Sequence, residues 1–235
     1  MCFYGECYDF GMSEQRKIAI ILIAPPGAGK GTQADLLAER YGLVHLETSK
    51  IIQEKFRTAN PDDSIIIREK ARWAAGELNS QALVATWLLE AVHNQASAGS
   101  GIVFSGSPRN LDEVEAEMPV LEELYDKANI KVFNIKLSAA ESVKRNSGRR
   151  VCEANRHPIP NFPEYAGLTA CPQDGSPLVT RDLDKPELIE ERYRVYLRDT
   201  APVLAHLAEH GYQAIEINGE QPIDKVFADI NQYLQ

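Results

Sequence analysis

The chain is short of the features that mark membrane, secreted and nucleic-acid-binding proteins. No segment approaches the ~18 consecutive apolar residues that span a bilayer. The longest clean apolar run is Ile18–Ala24. Residues 1–16 have neither an apolar stretch nor a basic start, so they do not read as a secretory signal. Cysteine is scarce. Cys2, Cys7, Cys152 and Cys171 are the only four, and without a signal a disulfide framework is not expected. Positive charge is also in deficit, with 25 Lys+Arg against 34 Asp+Glu and a formal charge of −9. That balance argues against non-specific binding to nucleic acid or anionic membrane, which rests on phosphate neutralisation. It leaves room for a small, locally basic site. Internal repeats and low-complexity tracts are missing as well. What remains is a 235-residue chain, 44% apolar, long enough to bury one sizeable core with residues to spare. A cytoplasmic monomer is expected. Residues 1–16 are expected to be a poorly ordered extension, with Cys2 and Cys7 as free thiols on it.

Strand and helix patterns alternate along the rest. Lys17–Ala24 is an unbroken β-branched run ending at Pro25-Pro26-Gly27, the pattern of a strand buried on both faces. Further strands are predicted at Leu43–Leu46, Ile102–Phe104, Lys131–Leu137 and Gln213–Ile217. Helical spacing covers Lys30–Tyr41, closed by Gly42, then Ser80–Gln95 and Leu111–Tyr125. Ser138 and Glu141 open another helix as a capping box. Pro186–Glu209 reads as one long helix bent near Pro202, and Pro222–Leu234 closes the chain. The alternation predicts an α/β fold with a parallel sheet. Two stretches interrupt it: a helical insert at 48–77, and an irregular Pro- and Gly-containing segment at 150–183. A loop that long in a compact domain is usually functional, often a lid.

The first strand leads into Ala24-Pro25-Pro26-Gly27-Ala28-Gly29-Lys30-Gly31-Thr32 and then a helix. Glycines let successive backbone N–H groups converge on a phosphate, and the helix N-terminus adds a positive dipole. Lys30 supplies a cation for the phosphates, and Thr32 a hydroxyl for Mg²⁺. The strict G-x-x-x-x-G-K-[ST] pattern is not met: Ala24 stands at its first glycine, and Gly31 separates Lys30 from Thr32. An N-K-x-D motif is missing, which disfavours a GTPase switch protein.

The segment from Pro26 to Ser49 resembles the opening of the adenylate kinase family of nucleoside monophosphate kinases. Gly106-Ser107-Pro108-Arg109 is similar to the family's D-G-F-P-R motif. Arg145 with Gly148-Arg149-Arg150 is similar to its R-x-x-G-R-R. Thr180-Arg181-Asp182 through Arg192, Ala201-Pro202 and Asn218 to Pro222 fall at later family positions. The resemblance covers 17–235. It implies a P-loop NTPase-type, five-stranded parallel sheet flanked by helices. The core would comprise 17–47, 78–149 and 184–235, the nucleoside-monophosphate insert 48–77 and the lid 150–183. The implied reaction is ATP + NMP ⇌ ADP + NDP with Mg²⁺, AMP being the expected acceptor. Such chemistry needs in-line positioning, charge neutralisation and exclusion of water.

By that resemblance Lys30, Arg109, Arg149, Arg181 and Arg192 surround the reacting phosphates. Gly27, Ala28, Gly29, Gly31, Thr32, Arg145 and Gln221 join Lys30 and Arg149 on ATP. Thr48, Gln53, Gly106, Arg109, Glu113, Arg181 and Arg192 lie on the monophosphate side. Several positions depart from the family. Its phosphate-binding arginine is Gln53 here, with Lys50, Lys55 or Arg57 as candidate replacements. The aspartate that helps hold hydrated Mg²⁺ is Ser105, the next-but-one phenylalanine is Ser107, and the glutamine that reads the acceptor adenine is Glu113. Glu113 also has a local reading, as partner of an Asn110 helix cap. A carboxylate accepts hydrogen bonds only, so another acceptor base such as guanine is an alternative. A catalytically weak nucleotide-binding regulatory protein is another. In the lid, Cys152 and Asn155, then Cys171 and Asp174, carry the spacing of a zinc knuckle. Asn is a weak ligand, and His157 could take its place. A metal-free lid held by hydrogen bonds and packing is the preferred alternative, ahead of a Cys152–Cys171 disulfide.

Overall fold

The computed structural model describes residues 2–3, 6–7, 17–75, 77, 79–154, 157–159, 161, 165–180 and 184–234. Near the start, β1 (Cys2–Phe3) and β2 (Glu6–Cys7) pair antiparallel, with Cys2 opposite Cys7. The rest of the 1–16 extension lies outside the described residues.

The core alternates as the sequence predicts. It runs β3 (Ala19–Ile23), α1 (Lys30–Tyr41), β4 (Val44–Leu46), then α2 (Thr48–Thr58), α3 (Ser64–Ala74), α4 (Gln81–Ser97) and β5 (Ile102–Phe104). After these come α5 (Leu111–Tyr125), β6 (Ile130–Lys136), α6 (Ala139–Ser147), the short strands β7 (Arg150–Cys152), β8 (Pro158–Ile159) and β9 (Leu178–Thr180), and α7 (Pro186–Val195). A π-helical turn, Tyr196–Thr200, connects to α8 (Ala201–Glu209), followed by β10 (Ile215–Asn218) and α9 (Ile223–Asn231). The main sheet is five-stranded, ordered β10-β6-β3-β5-β4, and parallel throughout.

Period-two alternation explains why β3 lies at its centre. Ile20 and Leu22 face one helical layer, with Leu36 and Leu37 of α1 and Phe227 and Ile230 of α9. Ala19, Ile21 and Ile23 face the other, with Leu88 of α4, Leu121 and Tyr125 of α5, and Val203 and Leu207 of α8. Both faces are covered, so a continuous apolar run is what the strand needs. Truncating Ile21 to Ala would cost about 3 kcal/mol. α1 ends where Gly42 adopts the left-handed conformation (φ 63°) and its N–H bonds Ala38 O. Ser138 caps α6 as predicted, accepting from Glu141 N–H at 3.3 Å, but the reciprocal half of the box is replaced: the Ser138 N–H donates to Glu220 at 2.8 Å.

The 48–75 segment is helical, as expected, and has its own apolar cluster of Ile52, Ile66 and Trp87. The Phe56 ring meets Trp73 and Trp87 edge-on, at 6.1 and 6.3 Å. The 150–180 segment differs from its reading as irregular chain. It contains a three-stranded antiparallel sheet ordered β8-β7-β9. Strands of two or three residues carry too few side chains to show a period, which is why the sequence hid them. The long Pro186–Glu209 helix runs on without a gap, and its irregularity falls just before Pro202, as expected. Ala201 N–H bonds Tyr196 O, an i→i−5 turn, and Pro202 sits in the first turn of α8. Proline has no N–H to give to an i−4 carbonyl, so the register slips in the turn before it.

Candidate active site

The C-terminal end of β3 opens into the glycine loop. Gly27 and Gly29 have φ of +80° and +83°, a region that other residues enter at a cost. A methyl group at Gly27 would lie 2.3 Å from Asn146 Nδ2, so α6 packs directly against the loop backbone. Ser142 on the same helix donates to Pro26 O at 2.7 Å. Thr32 lies in the first turn of α1. Lys30 folds back over the loop and donates to Ala24 O at 2.7 Å and Pro25 O at 3.1 Å.

Three guanidinium groups from distant parts of the chain reach this lysine. Burial first, then the charges of Arg109, Arg192 and Arg149 in that order, together lower the Lys30 ammonium to about 7. Burial, then Arg149, likewise hold Arg192 below its ordinary value, against the pull of Asp184. Asp184 has a side chain only 3% exposed. It accepts a fork from Arg149, with Nη2 at 2.8 and 2.9 Å and Nε at 3.1 Å. Arg192 Nη1 lies 3.5 Å from the same carboxylate. One buried carboxylate thus orients two of the arginines, a role the sequence did not assign. Such a cluster of cations has the chemistry of a polyphosphate site.

A second anion site adjoins the first. A methyl group at Gly106 would sit 3.2 Å from both Arg109 Nη2 and Thr48 Oγ1, so these two groups flank that backbone. Thr48 Oγ1 is buried without a hydrogen-bond partner, at the first turn of α2. Arg109 Nε donates to Gly106 O, and Thr200 Oγ1 donates to Arg109 O at 2.7 Å, which steadies the loop.

Several predicted positions point elsewhere. Gln53 is exposed on α2. Lys55 is paired with Glu90 at 2.6 Å, Arg57 is bonded to Glu54, and Lys50 lies 3.4 Å from Glu47. Glu113 follows its local reading. Its N–H donates to Asn110 Oδ1 at 2.9 Å, and its carboxylate accepts from Arg109 N–H at 2.6 Å, Asn110 Nδ2 at 3.2 Å and Ser107 Oγ at 3.1 Å. Those contacts occupy the carboxylate that a base would otherwise meet.

On the other flank, Arg145 donates to Glu141 at 2.9 Å, and Gln221 Nε2 donates to Asp229 at 2.6 Å. Gly219 N–H bonds Lys136 O at 2.8 Å, holding that turn against the end of β6. Arg181 and Asn155 lie outside the described residues.

In the small sheet, Cys152, His157, Cys171 and Asp174 bring their ligand atoms within 4.8 Å of one another. His157 Nδ1 lies 3.6 Å from Cys152 Sγ, 3.4 Å from Cys171 Sγ and 3.2 Å from Asp174 Oδ2. Ligands on a tetrahedral zinc with bonds of about 2.0–2.3 Å stand about 3.3–3.8 Å apart, so the donor set fits the ion. Both cysteines are buried, and they are not joined in a disulfide in this structure.

Known proteins are similar over most of this length. The adenylate kinase family model matches residues 22–212. The adenylate kinase of Methanothrix thermoacetophila is 34% identical over 217 residues, spanning 92% of this chain and 97% of that protein. That of Haloarcula marismortui is 36% identical over 217 residues, spanning 90% and 94%. That of Bacillus subtilis is 32% identical over 219 residues, spanning 92% and 97%. A phosphate loop, a cluster of arginines and similarity over most of the chain agree, and the chain belongs to the adenylate kinase family.

Proposed function

We propose that this protein moves the γ-phosphoryl group of ATP to AMP, giving two ADP. The observation that carries the reading is the convergence of Arg109, Arg149 and Arg192 on Lys30. An AMP phosphate oxygen attacks the γ-phosphorus in line, and the β–γ bridging P–O bond breaks with its electrons going to ADP. Lys30 and the loop N–H groups of 27–32 hold the ATP phosphates. Arg109 and Thr48 hold the acceptor phosphate in the second anion site. Arg149, Arg192 and Arg181 neutralise charge on the transferred group, and Asp184 fixes the angle of the first two. Arg145 and the 219–221 turn flank the ATP base.

Mg²⁺ supplies charge neutralisation and a template on the β- and γ-phosphates. Thr32, one turn into α1 and beside the loop, is placed to hold it, with Ser105 at the end of β5 facing the same floor. In the lid the Cys152, His157, Cys171 and Asp174 quartet would hold Zn²⁺, which would supply a structural cross-link between β7 and the turn before β9. This revises the preference for a metal-free lid, because His157 supplies the donor that Asn155 lacks. Segments 48–77 and 150–183 close over the nucleotides and shut out water. No described helix is long and apolar enough to cross a membrane. We take the working species to be a cytoplasmic monomer.

The test is a coupled diphosphate assay with ATP·Mg²⁺ against AMP, GMP, CMP and UMP. AMP is expected to be the best acceptor. No turnover with AMP, alongside measurable ATP binding, would overturn the reading.

A further inference from the structure

Ser105 stands where the family carries a carboxylate, and the structure ties it into a chain of three side chains from three elements. His45, the middle residue of β4, brings Nε2 to 2.6 Å from Ser105 Oγ and Nδ1 to 2.7 Å from Asp35 Oδ1 on α1. The His45 side chain is only 7% exposed, while Asp35 reaches solvent. Ser105 is itself 8% exposed.

The direction of the chain follows from the chemistry of its end. An ionised carboxylate only accepts, so Nδ1 carries the imidazole proton and Nε2 is left as an acceptor. The single proton of Ser105 is then given to His45. Its oxygen keeps both lone pairs and gains electron density through the polarised chain. An isolated serine rotates freely between donor and acceptor roles. Here it is fixed as an acceptor.

The position of the chain says what it accepts from. Asp35 follows Thr32 by three residues, so the two share one face of α1. Ser105 is the residue after β5, next to Gly106, whose backbone is flanked by Thr48 and Arg109. The chain therefore lies on the floor of the cleft, between the phosphate loop and the second anion site. Waters bound to Mg²⁺ donate hydrogen bonds and need fixed acceptors, and outer-shell partners of that kind set metal affinity.

We propose that Asp35 and His45 are positioning residues that hold Ser105 as the acceptor for a water on the Mg²⁺·ATP complex. The relay does by orientation what a carboxylate at 105 would do by charge at that position. The proposal rests on the kinase reading above.

The test measures Mn²⁺ binding to the protein–ATP complex, from the loss of the free-ion electron paramagnetic resonance signal, with metal-free ATP binding measured in parallel. Ser105→Ala and His45→Leu are each expected to weaken Mn²⁺ binding about tenfold or more while ATP binding without metal stays unchanged. The double variant should be no worse than either single one, because the residues act as a unit. Ser105→Asp in the His45→Leu background should restore affinity. Wild-type Mn²⁺ affinity in His45→Leu, or losses that multiply in the double variant, would overturn the relay. Should His45→Leu not fold, Asp35→Ala carries the same expectation, and unchanged Mn²⁺ affinity there refutes it. Failure of the wild-type protein to bind ATP would instead refute the kinase reading.

Discussion

Glu117 gives the sharpest quantitative prediction. It lies on α5, 2% exposed, hydrogen-bonded through Oε1 to Ser107 Oγ, with its second oxygen buried and unpartnered. Burial pushes its carboxyl up to about 8, and the nearby Glu113 charge adds to the rise. At neutral pH it is therefore mostly the neutral acid. A hydroxyl has one proton, so Ser107 gives it to ionised Glu113, and protonated Glu117 donates to Ser107 in turn. The sign follows from proton counts. Between 4.5 and 8 the folded chain keeps a proton on Glu117 that the unfolded chain has lost, so this group's contribution to stability falls as pH rises. The slope is about 1.4 kcal/mol per pH unit, or roughly 3 kcal/mol lost between pH 4.5 and 7. Glu117→Gln keeps the shape and the donor to Ser107 but cannot ionise. Urea unfolding of both proteins at pH 5.5, 6.5 and 7.5 should show the variant gaining on wild type by about 1.4 kcal/mol at each step. A constant offset across the three pH values would refute the buried neutral acid.

Other perturbations address the site. Lys30→Met should cut turnover by about 10²-fold or more, read in the coupled assay, since it removes the cation at the centre of the cluster. Arg149→Ala should lower kcat by about 10²-fold with little change in KM, because its charge matters most as the phosphoryl group moves; an effect confined to KM would contradict that role. Gly27→Ala should abolish ATP binding in a nucleotide titration, because its φ is +80° and a methyl group would meet Asn146 at 2.3 Å. Metal analysis of the purified protein should find about one zinc per chain, lost in Cys171→Ser along with several degrees of thermal stability. Absence of stoichiometric zinc would remove the lid site.

The core was legible because its signals are local. The run Ala19–Ile23 is buried on both faces, and Gly42 ends α1 as its position suggests. The small sheet around β7 was hidden, since its strands are two or three residues long, too short to show a period, and β9 joins β7 from more than twenty residues away. The phosphate side was legible because Gly27, Gly29 and Lys30 stand within four residues at the turn from β3 into α1. Asp184 was not singled out, because its function is to hold Arg149, thirty-five positions away. Likewise the bond between His45 and Ser105 joins positions sixty apart, and only the parallel neighbours β4 and β5 bring them together. Glu113 shows the reverse case. Two readings of one residue were open in the sequence, and its bond to the Arg109 N–H decides for the helix cap.

Lys30 has a further consequence through its own loop. Its ammonium donates to Ala24 O and Pro25 O, so it is already solvated by backbone oxygens. An arriving nucleotide exchanges those bonds for phosphate bonds, and a departing one lets them re-form. Only the difference between the two sets contributes to affinity. That moderates the grip on ADP and favours its escape. For a reaction that makes two ADP in each cycle, a lysine with carbonyls to return to lowers the cost of letting each product go.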